Sequence, residues 1–105
     1  VGSTDLTHYG PAYGFTPAGL GEKAEKWVKG TNDKAFIDAL LDMNGDAVLA
    51  LAAKRGSACS AGAAAAAIGF ALETGSTEAR LLAYSTSLEV RRDDSFVGYA
   101  AVAFL

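Results

Sequence analysis

The chain has 105 residues and a net charge of −3, with half its residues hydrophobic and a fifth charged. This composition supports a packed core and excludes a disordered chain, and the lack of any Lys/Arg cluster excludes phosphate-neutralising contact with nucleic acid. A single cysteine excludes an internal disulfide framework and a multi-cysteine zinc site, and the longest apolar run, Ala63 to Leu72, is too short to cross a bilayer.

In chain order, Val1 to Ser3 read as the frayed end of a strand, followed by Thr4–Tyr9 at the strand-to-loop exit. Pro11, Pro17 and four glycines between Gly10 and Gly21 then predict a turn-rich loop, of the kind that forms a lid or rim. Glu22 to Lys29 form a short helix. Thr31-Asn32-Asp33 reads as a helix N-cap ahead of Phe36, Ile37, Leu40 and Leu41, with a stop at Asn44-Gly45. Asp46 caps the next helix, which ends at Lys54-Arg55-Gly56, where cations and a glycine suit a C-terminus. Ser60 caps a third helix, Ala61 to Thr74, stopped by Gly75; its alanines have high helix propensity and let neighbours approach closely.

Arg80 to Ser85 then predicts a strand, Ser87 to Ser95 a polar loop, and Phe96 to Leu105 a strand that is apolar on both faces and therefore central and buried, with Tyr99 in the core. The exposed charges Arg91, Arg92, Asp93 and Asp94 make a solvated turn. Much of the apolar content is alanine, which buries little area, and with 12 glycines the core of the chain taken alone is thin. Two strands are too few for a self-sufficient α/β layer, so a central strand needs a neighbour from elsewhere. The absence of an initiator Met at Val1 fits a processed product or a fragment.

Three side chains carry potential chemistry. His8 is the sole histidine and Asp5 lies three residues before it, a spacing at which a carboxylate can fix an imidazole acting as base or metal ligand. A D-x-x-H pattern also suits a surface histidine and a turn-capping aspartate. Cys59 precedes a helix N-terminus, a setting that favours thiolate and suits a soft metal ligand or a nucleophile with His8 as its base; a buried structural cysteine is the alternative. Tyr9, Tyr13 and Phe15 either line an aromatic pocket or pack the loop. A lone cysteine sets a reducing, cytoplasmic compartment as the default.

Four blocks in order — Ser3-Thr4-Asp5-Leu6-Thr7-His8-Tyr9, Cys59 before a helix, Leu82-Ala83-Tyr84-Ser85-Thr86-Ser87, and Ser95 to Phe104 — resemble landmarks of the Memo family, whose prokaryotic members are called AmmeMemoRadiSam system protein B. The resemblance spans the whole chain and implies the C-terminal part of a single Memo-like α/β domain over residues 1–105, with the N-terminal half absent. It implies a mixed sheet flanked by helices, similar to class III extradiol dioxygenases (LigB-like) and incomplete on its own. It further implies a metal-binding, redox-type protein using iron or copper, possible oxidoreductase activity, Cys59 as metal ligand, His8 as the pocket's base or outer-sphere partner, and Asp5 orienting His8. The remaining histidine ligands are then expected from the missing half or another chain. Glycine and proline usually follow the family's cysteine, whereas Ser60, Ala61, Gly62 and Ala63 follow it here. A non-enzymatic peptide- or protein-binding module using the same pocket is the competing reading.

Overall fold

The computed structural model describes residues 2–105; the expectation for Val1 lies outside them. A three-stranded antiparallel sheet, in the order β1 (His8–Tyr9), β3 (Phe96–Phe104), β2 (Ala79–Thr86), carries four helices: α1 (Glu22–Trp27), α2 (Asp33–Leu41), α3 (Gly45–Arg55) and α4 (Ala61–Glu73). The architecture is mixed α/β as expected, and within the described residues each neighbouring pair of strands is antiparallel. Beyond the His8–Val97 and Tyr9–Phe96 pairs, Leu6 N–H donates to Gly98 O and Gly98 N–H to Thr7 O, so the segment from Leu6 follows β3. On the other side β2 and β3 pair from Ala79–Phe104 to Thr86–Gly98, with a bulge that leaves Leu82 out of register.

β3 is central, as its apolar pattern predicts, but only Phe96, Val97 and Gly98 are buried. Helices cover one face of the sheet, on which Ala100, Val102 and Phe104 pack with Leu6, Phe36, Leu40 and Ile68. Among the described residues the opposite face has no second layer, which leaves Tyr99 44 % exposed rather than in the core. A second cluster, Tyr9, Ala24, Val28, Leu88 and Phe96, packs the glycine-rich loop through Phe15 and Trp27. Tyr9 and Phe15 are therefore loop packing.

Helix ends depart from the sequence expectation in a consistent way. Asn32 and Asp33 have helical backbone angles and cap nothing; helix runs continuously from Glu22 to Leu41 through a π turn at Val28–Asn32. Their side chains are engaged by residues distant in sequence, which removes them from local capping. Asn44, not Asp46, caps α3 by accepting from Ala47 N–H at 3.1 Å, and Asp46 lies in the first turn. Ser60 makes no side-chain cap on α4; instead its N–H donates to Thr4 Oγ1 at 2.8 Å. The α3 stop is as expected, with Lys54 and Arg55 in the last turn and Gly56 left-handed at φ 57°. Alanines of α4 pack as predicted, with Ala61, Ala64, Ile68 and Ala71 buried. The Ser87–Ser95 loop opens with a short 3-10 turn that buries Leu88.

Candidate functional site

The segment Thr4–His8 leaves the edge of β3 and passes the loop that connects α3 to α4. Cys59 lies on that loop, two residues before α4, and its N–H donates to Asp5 O at 3.3 Å. Thr4 Oγ1 donates to Asp5 O, accepts from Ser60 N–H, and sits 3.7 Å from Cys59 Sγ. Two segments more than fifty residues apart are thus laced together by backbone and hydroxyl groups. Thr7 is fully buried, whereas Asp5 and His8 are each partly exposed.

Asp5, His8 and Cys59 converge. One ligand atom of each, the carboxylate oxygen, imidazole nitrogen and thiol sulfur, lies within 4.8 Å of the other two. Asp5 Oδ2 is 3.7 Å from His8 Nε2, within ion-pair reach but too long for a hydrogen bond. Bonds of about 2.0 Å to nitrogen and about 2.3 Å to sulfur place two ligands of one tetrahedral ion about 3.5 Å apart, so side-chain movements of about 1 Å would gather the three around one cation. A thiolate and an imidazole form a donor pair suited to copper or iron more than to magnesium or calcium. Cys59 is free and exposed, and is not the buried structural cysteine that the sequence left open.

Tyr13 closes one side of His8. The 3-10 turn Pro11–Tyr13 is fixed by bonds from Gly10 N–H to Phe15 O and from Ala12 N–H to Ser95 Oγ, and it sets the Tyr13 ring edge-to-face with the imidazole at 5.0 Å. Gly10 is required here. It has φ 116°, and a Cβ would overlap the backbone of Asp94 and Ser95.

Behind the site lies a polar network that sequence reasoning missed. Asp33, fully buried on α2, accepts through Oδ1 from Thr7 N–H at 3.0 Å and Thr7 Oγ1 at 2.6 Å, and through Oδ2 from the Tyr84 hydroxyl at 2.5 Å. Asn32 Nδ2 donates to Thr7 Oγ1 at 2.9 Å and to Arg55 O at 3.1 Å. Burial pushes the Asp33 carboxyl above the usual carboxylate range, partly offset by the Thr7 and Tyr84 donors. Burial, and then the neighbouring Asp33, push the Tyr84 phenol up. The carboxylate lies directly against β3: a Cβ on Gly98 would overlap Asp33 Oδ2.

The family model for Memo-like protein matches residues 1–103. The chain belongs to the Memo family. It is 35% identical over 111 residues to a MEMO1 family protein of Thermococcus onnurineus, covering 99% of this chain and 36% of that relative. It is also 35% identical over 103 residues to one of Methanococcoides burtonii (97% and 34% covered) and 33% identical over 107 residues to one of Nitrosopumilus maritimus (100% and 34% covered). This Memo chain therefore spans about a third of the length of the curated relatives it matches. Among its described residues no helix is long and apolar enough to cross a membrane.

Proposed function

We propose that this Memo chain contributes Cys59, His8 and Asp5 to a metal centre that takes iron or copper. The single observation that supports this is the convergence of one sulfur, one nitrogen and one carboxylate oxygen to within 4.8 Å, from two segments linked by the Cys59–Asp5 backbone bond. Cys59 is the thiolate ligand. His8 lies beside it as a further ligand or as the pocket's base, and Asp5 orients its ring and compensates its charge on protonation. When bound, iron or copper supplies one-electron redox chemistry; the chain's own part is to present the ligand atoms, hold the imidazole against Tyr13, and keep the carboxylate within ion-pair reach of the ring. Any further histidine ligands come from the rest of a Memo-length polypeptide or from another chain, completing the dioxygenase-like architecture. An exposed thiolate ligand suits a reducing cytoplasm, where we place the protein.

The test is a titration of copper(I) and iron(II) into the metal-free protein and its Cys59→Ser and His8→Ala variants, with redox cycling followed in parallel. The proposal expects affinity to fall at least tenfold on Cys59→Ser; unchanged binding overturns it.

One observation favours a second reading, a peptide- or protein-binding module. The alternation along β3 turns the N–H and C=O groups of Ala100, Val102 and Phe104 toward the β1 edge, beyond the point where β1 ends. A groove of about 660 Å³ opens there against α4, lined by Leu6, Ala63, Ala67, Phe70, Val102 and Phe104. An extended segment adding to that edge is the occupant this reading requires. Slower hydrogen exchange at Ala100, Val102 and Phe104 on adding a peptide, without metal, supports it; binding only after metal is added excludes it.

A further inference from the structure

Adjacent residues of an α-helix diverge by about 100°, so a consecutive pair can share one buried face, as Phe36–Ile37 and Ala39–Leu40 do on α2. Asn32 closes the π turn Val28–Asn32, and Asp33 opens α2 directly after it. Asn32 and Asp33, consecutive in sequence, are both fully buried and both bond to Thr7. Thr7 Oγ1 donates to Asp33 and accepts from Asn32, so its rotamer and proton direction are fixed. Its backbone is fixed too, by N–H to Asp33 Oδ1 and by its carbonyl accepting from Gly98 N–H.

Thr7 is the residue before His8 and two after Asp5. The same Asn32 amide holds Arg55 O, at the end of α3, from which the Gly56–Ser60 loop carries Cys59. The Cys59 N–H to Asp5 O bond closes the ring between these segments. We infer that Asn32 and Asp33, at the junction of the π turn and α2, are positioning residues that hold the Asp5–His8 segment and the Cys59 loop in one fixed relation. This rests on the metal-centre reading above.

The clamp is distinct from general core packing, and the two separate experimentally. Copper(I) affinity is measured for the protein and for Thr7→Val, Asn32→Ala, Thr7→Ser and Ile68→Val. Removing a partner one step behind a metal ligand typically costs about 10–100-fold in affinity. Thr7→Val and Asn32→Ala are expected to weaken binding at least tenfold per folded molecule, and Thr7→Ser, which keeps the hydroxyl, to return within about threefold of the parent. Ile68→Val, a core change on α4 outside the network, lowers stability and leaves affinity unchanged. Clamp variants that match Ile68→Val in affinity overturn the inference.

A parent protein that binds no copper or iron refutes the metal reading instead. The clamp is then read in the metal-free protein from the His8 ring resonances. Thr7→Val and Asn32→Ala must shift them and Ile68→Val must not; resonances that stay in place in all three variants overturn the inference on their own.

Discussion

The close approach of Asp33 on α2 to Gly98 on β3 makes Gly98→Ala an informative substitution. A methyl at this position would overlap Asp33 Oδ2 and lie 2.9 Å from Asp33 Cγ and 3.2 Å from Oδ1. The backbone cannot yield, because Gly98 N–H and C=O both bond to the Leu6–Thr7 segment. The carboxylate must therefore move, and it accepts three hydrogen bonds: two from Thr7 and one from Tyr84. Hydrogen bonds to a charged group contribute about 1.5–3 kcal/mol each, so losing one or two costs about 2–5 kcal/mol. A domain of this size has about 5–15 kcal/mol in total, so the variant should be severely destabilised.

The assay is equilibrium urea unfolding of Gly98→Ala, Asp33→Ala and the double variant. The two losses should be strongly non-additive, with a coupling of about 2 kcal/mol or more, since the methyl has nothing to displace once the carboxylate is gone. Where Gly98→Ala alone does not fold, a recovered transition in the double variant reports the same coupling. A Gly98→Ala protein within about 1 kcal/mol of the parent, or additive losses, would refute the reasoning.

Asp33→Asn tests the buried carboxyl by pH. Burial raises the Asp33 value above the ordinary 3.8, so its contribution to stability is full below that value and is lost as pH rises through the folded value. The uncharged Asn escapes this loss, so the variant should gain on the parent as pH rises above about 4 in urea unfolding; a gap independent of pH would contradict it. Ser57→Ala should be neutral or stabilising by up to about 1 kcal/mol, because the Ser57 hydroxyl is buried without a partner among the described residues. Phe36→Ala, at the fully buried centre of the main cluster, should lower stability by about 3–5 kcal/mol in the same assay.

The elements set by local periodicity were legible in the sequence. The Phe36/Ile37/Leu40 spacing, the alanine helix with its buried Ala64 and Ile68, and the apolar runs that form β2 and β3 each lie where their pattern puts them. What local pattern could not supply was the destination of polar side chains. Asn32-Asp33 has the composition of an N-cap, and nothing nearby reveals that Thr7 and Tyr84 claim both side chains.

Tyr84 sits in a nearly continuous apolar run, where its hydroxyl gives no sign of a buried carboxylate waiting for it. Tyr99, by contrast, reads as core because the pattern of a central strand is the same whether or not a second layer covers it. For the site, Asp5-x-x-His8 gave proximity within one segment, but the approach of Cys59 depends on the Thr4–Ser60 and Asp5–Cys59 bonds, which spacing alone does not encode.

The most direct measurement is X-ray absorption at the metal edge of copper- or iron-loaded protein, compared with Cys59→Ser. One sulfur scatterer at about 2.3 Å in the parent, replaced by a lighter atom in the variant, is the predicted result. A coordination shell of nitrogen and oxygen alone in the parent, or a sulfur that persists in the variant, would contradict the assignment of Cys59 as a ligand.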